Sequence, residues 1–167
     1  MKLFQLLLSA SFLLFSAGNV FSQQTVVSIY NPSADAKMEI LAAVKKANIE
    51  NKHVLLQVGG NWCPWCIKLH KLLHSNLKID SVLKANYIFV LVNYSKENKN
   101  LALLKELEFP QRFGFPSMVV LDKTGKRIHT QDSWLLESGD GYDPKKVLGF
   151  LTAWSVKALD PVNYPEQ

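Results

Sequence analysis

Two short runs of apolar residues, at positions 53–58 and 87–92, do most to limit the folds that this chain can adopt. Each run has the length of one β-strand, and the second is continuous, as in the strands of a buried parallel sheet. Between the runs, residues 67–73 carry apolar side chains at helical spacing. A strand, a helix and a second strand form a right-handed crossover, so the sequence predicts an α/β fold with a parallel part.

Further elements extend this unit in both directions. The predicted order is a strand at 25–30, a helix at 34–50, the strand at 53–58, a helix at 64–75, a helical turn at 79–85, the strand at 87–92, a helix at 101–107, a hairpin of strands at 117–122 and 126–130, and a last helix that follows Asp143. The expected buried face is Met38, Ile40, Leu41, Val44 and Ile49 in the first helix, and Val147, Leu148, Phe150, Leu151, Trp154 and Leu159 in the last. Between the hairpin and the last helix, Trp134-Leu135-Leu136 could meet a partner, but we expect it to cover the core.

The first 22 residues have the pattern of a secretory signal peptide. Lys2 supplies the charged start, residues 3–15 form a mostly apolar centre, and cleavage is expected after Ser22 or, alternatively, after Gly18. The apolar centre is shorter than the ~20 residues of a membrane span, although an uncleaved anchor stays open. Residues 23–167 are then predicted to form a single domain without stable membrane insertion.

Charge and length exclude some classes of function. The formal net charge is +5, and the lysines are spread along the chain without an aromatic-interleaved basic patch, so we expect no nucleic-acid partner. The 145 residues that follow the signal segment suffice for one hydrophobic core, which need not depend on disulfides.

Both cysteines of the chain, Cys63 and Cys66, fall at the junction between the predicted strand at 53–58 and the helix that follows it. Three positions apart, they can close or open a small disulfide ring with little backbone movement. Unpaired N–H groups at the helix start favour a thiolate at Cys63, and Pro64 suits the first helical turn. The pair therefore predicts a reversible two-electron switch.

Other roles for the pair can be weighed on the neighbouring residues. Haem attachment needs histidine after the second cysteine, where this chain has Ile67. A structural zinc site needs four Cys or His ligands, and no second cysteine pair exists. A three-ligand copper or zinc site of Cys63, Cys66 and His70 stays open, as does a purely structural disulfide, although so small a ring restricts the unfolded chain little.

The segment Trp62-Cys63-Pro64-Trp65-Cys66 resembles the Trp-Cys-x-x-Cys motif of the thioredoxin superfamily. Residues 112–122 resemble a second family segment, in which a cis-proline, here Pro116, precedes a strand and faces the dithiol. The resemblance covers most of residues 25–158. It implies a thioredoxin fold, a central mixed β-sheet flanked by helices, and a protein disulfide oxidoreductase without cofactor or metal.

The resemblance also implies roles for individual residues. Cys63 would be the accessible nucleophile that attacks a protein disulfide, and Cys66 the shielded thiol that resolves the mixed disulfide. Trp62 and Trp65 would form an apolar rim, although Trp65 could equally be ordinary packing. Phe115 and Pro116, joined by a cis peptide bond, would shape the groove for an extended substrate.

One departure from the family concerns proton transfer at Cys66. Thioredoxins carry a buried aspartate five positions before the motif tryptophan, where this chain has Gln57. His70 lies one helical turn after Cys66 and could accept the proton instead, although a structural histidine is the alternative reading.

The signal segment and the motif are most similar to those of bacterial secreted thioredoxin-like proteins, so we expect a periplasmic or secreted protein. Pro64 and Trp65 supply no cation between the thiols, which favours a reductase or interchange protein, fed by a membrane electron donor, over an oxidase. A non-enzymatic binding module or a metallochaperone is the alternative.

Overall fold

The computed structural model of the protein describes residues 28–165. The predicted signal segment lies outside the described residues, and so do residues 25–27 of the predicted first strand. Residues 28–30, the rest of that strand, are not strand. They instead run as an irregular segment against the loop before the cysteines, held there by Asn61.

Five helices and six strands follow along the described chain. In order they are α1 (Ala36–Glu50), β1 (His53–Gly59), α2 (Pro64–Ser75), α3 (Leu77–Asn86), β2 (Tyr87–Asn93), α4 (Leu101–Glu106), β3 (Ser117–Leu121), β4 (Arg127–Asp132), β5 (Glu137–Ser138), β6 (Gly141–Tyr142) and α5 (Pro144–Ala153). Short 3-10 helices occupy Pro110–Phe113, Ser133–Leu136 and Pro161–Asn163. The order predicted from 34 onward is confirmed.

The main sheet has four strands in the order β2-β1-β3-β4. β1 pairs with β2 in parallel and with β3 in antiparallel, and β3 and β4 form the predicted hairpin. The sheet is therefore mixed, as predicted. β1 is central and buried along its whole length, whereas the middle of β2 is only half-buried. The continuous apolar run of β2 suggested full burial, but an edge strand has a neighbour on one side only.

Helices cover both faces of the sheet, and β1 contributes to both because its side chains alternate. Leu56 and Val58 pack with α1 and α4, whereas Leu55 packs with α2, α3 and α5. Gln57 points to the second face, where it reaches the backbone of Cys66 in α2. β1 thus leads directly to the cysteines and also supplies a polar side chain beneath them.

The buried face of α1 differs from the predicted one. Of the predicted residues, Ile40 is buried and Val44 packs against the core, but Met38, Leu41 and Ile49 are exposed. Three alanines, Ala36, Ala43 and Ala47, are buried in their place. The prediction weighted large apolar side chains, but small residues let this helix approach the sheet closely. In α5 the predicted Val147, Phe150 and Leu151 are buried; Leu159 lies beyond the helix end and is exposed.

The segment Trp134-Leu135-Leu136 is divided between core and surface. Leu136 is buried, as expected for a cover of the core, whereas Trp134 and Leu135 are exposed. Among residues 28–165, no helix has both the length and the hydropathy required to cross a membrane.

Candidate active site

The two cysteines lie where β1 gives way to α2. Cys63 is the N-cap residue of the helix, Pro64 is the first helical residue, and Cys63 and Cys66 form a disulfide with their Cα atoms 5.3 Å apart. The backbone N–H of Cys66 donates a hydrogen bond to Cys63 Sγ at 3.1 Å. The sulfur of Cys63 therefore sits at the positive end of the helix dipole, where a negative charge is stabilised.

Both cysteines are buried in the disulfide form. Cys63 is 3% exposed and Cys66 is fully buried, with Ile29, Trp65 and Phe115 packed around the pair. The expectation of an accessible Cys63 was therefore wrong for this state, because neighbouring apolar side chains cover the disulfide. The role of Cys63 as the sulfur that is attacked first stays a prediction.

The two tryptophans of the motif lie in different environments. Trp62 is 55% exposed; its Nε1–H donates to the Tyr94 carbonyl at 2.6 Å and its ring meets Phe115 edge-on at 5.3 Å. Trp65 is half-buried and packs edge-on against Tyr142. The structure thus places Trp62 at the rim of the site and Trp65 in the packing below it.

The peptide bond between Phe115 and Pro116 is cis, which confirms the prediction from the sequence. Pro116 is buried and immediately precedes β3, whose first residue, Ser117, pairs with Val58. Since Val58 lies at the end of β1 that leads to the cysteines, this register brings the cis-proline beside the disulfide. Phe115 also packs in the apolar shell of the cysteine pair.

Gln57 is fully buried beneath the disulfide, at the position where thioredoxins carry an aspartate. Its Nε2 donates to the Tyr30 hydroxyl at 2.7 Å and to the Cys66 carbonyl at 3.0 Å. Its Oε1 has no hydrogen-bond partner among the residues that the structure describes. The amide therefore orders the first turn of α2 and Tyr30, but it cannot itself take a proton.

Two residues that the sequence analysis did not single out complete the site. Asn61 Oδ1 accepts the backbone N–H groups of Ile29 and Tyr30 at 2.8 and 2.9 Å, and its Nδ2 donates to the Tyr30 carbonyl at 2.8 Å. Tyr30 is consequently held against the disulfide, 2% exposed. Burial raises the pKa of its phenol. No local signal could reveal this pair, because the two residues lie 31 positions apart.

His70 lies on α2, and its ring contacts two aromatic rings outside the buried cluster of the cysteines. The ring is 4.4 Å from that of His74 and 5.9 Å from that of Phe89. Burial, and then the proximity of His74, lower the pKa of His70, which favours the neutral imidazole. Within residues 28–165, no three His, Cys, Asp or Glu side chains converge as a metal site would require, so the set of Cys63, Cys66 and His70 is not assembled here.

An open cavity of about 670 Å³ adjoins the exposed tryptophan. It is lined by Pro32, Asn61, Trp62, Asn93, Tyr94, Ser95, Lys96, Glu97 and Lys99. The lining exposes mostly apolar surface, with charged side chains from the loop that follows β2. The site therefore combines a disulfide at a helix start with an adjacent open cavity whose surface is mostly apolar.

Comparison with known proteins agrees with this geometry. A disulphide isomerase from Xylella fastidiosa Temecula1 is similar in structure, with 25% identity, a TM-score of 0.68, and coverage of 76% of this chain and 96% of that one. A thioredoxin from Thermus thermophilus (15% identity, TM-score 0.52, 76% and 94% covered) and a DsbH oxidoreductase (20%, 0.50, 82% and 94%) share the fold. No curated protein matches the chain.

The fold and the Cys63–Cys66 pair together support a thiol-disulfide oxidoreductase. The family profile described as "Thioredoxin-like domain" matches residues 41–132. This range starts within α1 and ends with β4, so it contains the disulfide, the cis-proline and the whole four-stranded sheet. Since it spans more than half of the sequence, the chain belongs to the thioredoxin-like domain family.

Proposed function

We propose that this protein is an exported thiol-disulfide oxidoreductase that exchanges disulfides with protein substrates and works as a reductase or interchange protein. The observation that carries the proposal is the position of Cys63 Sγ at the start of α2, where it accepts the N–H of Cys66. A thiolate there is stabilised by the helix dipole, and the thiolate is the form that attacks disulfides.

The reaction has two exchange steps. In the reduced protein, the Cys63 thiolate attacks one sulfur of a substrate disulfide; a mixed disulfide forms and the other substrate sulfur leaves as a thiolate. Cys66 then loses its proton and attacks Cys63, which releases the second substrate thiolate and restores the Cys63–Cys66 disulfide. Two electrons pass to the substrate, and Cys66 needs a nearby group that stabilises its thiolate.

The surface beside the motif supports a polypeptide substrate. Trp62 stands exposed between Phe115 and the open cavity, and its ring and Phe115 together form an apolar edge at the disulfide. Such an edge can hold the side chains of an extended segment while its disulfide approaches Cys63. Protein thiols and disulfides are therefore the proposed partners.

The residues around Cys63 support the direction of electron flow. Pro64 and Trp65 carry no charge, and the nearest lysine on the helix, Lys68, lies over the Trp65 ring and donates to the Asp140 carbonyl. The Cys63 thiolate is thus stabilised by the helix start without an added cation. A less stabilised thiolate makes a weaker oxidant, which favours reduction or interchange.

The sequence supports the proposed export, and the location outside the cytoplasm supports a membrane protein as the electron donor. Lys2, the apolar residues 3–15 and the small residues before Gln23 support a signal peptide and a periplasmic or secreted location in a bacterium. A reductase in such an oxidising compartment needs a steady supply of electrons, so we propose a membrane protein as donor.

Trapping of mixed disulfides tests the enzymatic proposal. Cys66→Ser should accumulate covalent adducts with substrate proteins through Cys63, because the resolving thiol is gone, whereas Cys63→Ser should accumulate far fewer. Adducts are detected by non-reducing electrophoresis and assigned by peptide mapping. Adducts found mainly on Cys66 in the wild type would contradict the assignment.

Redox state tests the direction. We expect a reduction potential nearer to the about −270 mV of thioredoxin than to the about −120 mV of strongly oxidising relatives. Alkylation of intact cells should find the dithiol mostly reduced when the donor is present. A dithiol that is mostly oxidised, with a potential near the second value, would show an oxidase.

A further inference from the structure

The Tyr30 hydroxyl and the Cys66 sulfur border the same small space next to Gly59. A Cβ atom added at Gly59 would collide with Cys66 Sγ and would lie 2.8 Å from the Tyr30 hydroxyl oxygen. Tyr30, Cys63 and Cys66 also pack as one buried cluster. The phenolic oxygen and the sulfur of the resolving cysteine therefore border the same space at the end of β1, with no side chain at Gly59 between them.

The hydrogen bonds of Gln57 fix the direction in which the Tyr30 hydroxyl can donate. The Gln57 atom at 3.0 Å from the Cys66 carbonyl must be the amide nitrogen, because a carbonyl only accepts. The same nitrogen lies 2.7 Å from the Tyr30 oxygen, so that oxygen accepts from Gln57. Within residues 28–165, the phenolic proton makes no hydrogen bond of its own.

The position of Tyr30 is held by contacts other than its ring. Three hydrogen bonds between Asn61 and the backbone of Ile29 and Tyr30, two accepted by Asn61 and one donated by it, anchor the segment to the turn that precedes Cys63. The buried cluster that holds Tyr30 and the two cysteines also includes Leu91 and Phe115. Among the members of this cluster, Tyr30 supplies the one hydroxyl hydrogen.

We propose that, in the reduced protein, the Tyr30 hydroxyl donates a hydrogen bond to the Cys66 sulfur and so stabilises the thiolate that resolves the mixed disulfide. Gln57 acts through Tyr30 as a positioning residue, since its amide holds the phenolic oxygen. The inference rests on the proposed function and supplies the group that the missing buried aspartate leaves undefined.

The chemistry needs no further reactant. Cys66 gives its proton to water or to another base, and Tyr30 keeps its own proton. The phenolic O–H then donates a hydrogen bond to the Cys66 thiolate. When Cys66 attacks, the Cys63–Cys66 bond forms, the bond from Cys63 to the substrate breaks, and the substrate leaves as a thiolate. A hydrogen bond to the charged form lowers the pKa of a thiol, which opposes the effect of burial.

The titratable groups nearby differ in what they face. Tyr142 lies close enough to influence Tyr30 and packs on Trp65. His70 shares the helix with Cys66, but its ring packs in tilted arrangements against His74 and Phe89. The phenol of Tyr30 shares the buried cluster of the disulfide, so its removal should affect Cys66 more than removal of the imidazole.

Titration of Cys66 alone tests the proposal without any substrate. In Cys63→Ser, Cys66 is the single cysteine of the chain, so the ultraviolet absorbance of the thiolate reports its pKa directly. Adding Tyr30→Phe should raise that pKa by about one unit, which is about tenfold less thiolate near neutrality, because a hydrogen bond to a charged group is lost. Tyr87→Phe is the matched control: it removes the hydroxyl of another buried tyrosine, which donates to the Leu151 carbonyl at 2.7 Å.

The resolution step gives a second readout. Single-turnover decay of a preformed Cys63 adduct should slow about threefold in Tyr30→Phe near neutral pH, because the loss of thiolate is partly offset by the higher nucleophilicity of a more basic thiolate, and its pH profile should move upward with the thiol pKa. Should Tyr30→Phe fail to fold, Gln57→Met, which releases the phenol, should shift the pKa in the same direction by less. An unchanged Cys66 pKa in the folded variant overturns the inference. A wild-type protein that exchanges no disulfides overturns the proposed function instead, and leaves the titration of Cys66 interpretable.

Discussion

Two helices of this domain begin with the same arrangement and use it differently. α2 and α5 each have proline as the first helical residue, preceded by an N-cap side chain that accepts a backbone N–H. At α5 the cap is Asp143, whose carboxylate accepts the N–H groups of Lys145 and Lys146. At α2 the cap is Cys63, whose sulfur accepts one, from Cys66.

The comparison shows what the active site gives up. A carboxylate is the stronger cap, and the α5 start is a surface feature that only stabilises the fold. At α2 a weaker acceptor occupies the cap, so the dipole of the helix acts on a reactive atom. The same difference extends below the helices: Cys66 lies over the polar pair Gln57 and Tyr30, whereas the buried residues of α5 pack in an apolar core.

Two glycines should show the largest contrast between these regions. Gly59→Ala should lower the free energy of unfolding by about 1–3 kcal/mol, because its Cβ would collide with Cys66 Sγ and the Tyr30 hydroxyl. Gly149→Ala, in the exposed middle of α5 with nothing within 4 Å of the added atom, should raise it by about 0.5–1 kcal/mol. Urea denaturation of the oxidised proteins measures both. Equal effects would show that the space at Gly59 is not tight.

Substitutions at the two N-cap residues, Asp143 and Cys63, should have the next largest effects on the free energy of unfolding. Asp143→Ala should lower the free energy of unfolding by about 1 kcal/mol and leave the reduction potential unchanged. At Cys63 the test compares two variants that both lack the disulfide: Cys63→Ser should be more stable than Cys63→Ala by about 0.5–2 kcal/mol, since serine is a good cap. Both series use urea denaturation under reducing conditions. If the serine and alanine variants are equally stable, a side-chain cap at position 63 does not stabilise the fold.

The sequence predicted those parts of the molecule that local patterns specify. The strand at 53–58 and the proline-initiated helices were predicted correctly, because apolar runs and proline act over a few residues. The cis-proline before β3 and the mixed character of the sheet were predicted from the resemblance to the thioredoxin superfamily.

Long-range packing decided the rest. That β2 is an edge strand depends on which strands lie beside it, which its own apolar run does not reveal. The burial of Ala43 and Ala47 in place of Leu41 depends on how closely α1 approaches the sheet. The hydrogen bond between Asn61 and Tyr30 joins a loop to a segment that was predicted as strand. For this reason the sequence did not reveal the Tyr30 hydroxyl near Cys66.

The smallest effect concerns two histidines, one associated with each helix. His70 on α2 packs on Phe89, and His129 on β4 stacks on Trp154 at 4.0 Å beside α5. Burial lowers the pKa of both histidines, and His74 lowers the pKa of His70 further. At His129 a hydrogen bond accepted by Gln131 Oε1 opposes the shift, whereas the charge of Arg127 adds to it.

The sign of the resulting pH dependence is the same for both. The native state favours neutral imidazole, so the unfolded chain binds protons first as the pH falls. Stability is therefore complete above the unfolded pKa of about 6.5 and decreases as the pH falls through that value toward the lower folded pKa. The slope for each should be a fraction of the about 1.4 kcal/mol per pH unit of a full proton.

Phenylalanine variants, which keep the aromatic packing, should remove these slopes. Urea denaturation at a series of pH values from neutral to mildly acidic measures them, and a slope unchanged in His70→Phe would contradict the burial argument.

The same variant decides whether His70 also takes the proton of Cys66. If decay of the Cys63 adduct keeps its rate and pH profile in His70→Phe but slows in Tyr30→Phe, the imidazole is structural and the phenol acts at the thiol. A slower decay in His70→Phe, with a displaced pH profile, would instead show that His70 accepts the proton of Cys66.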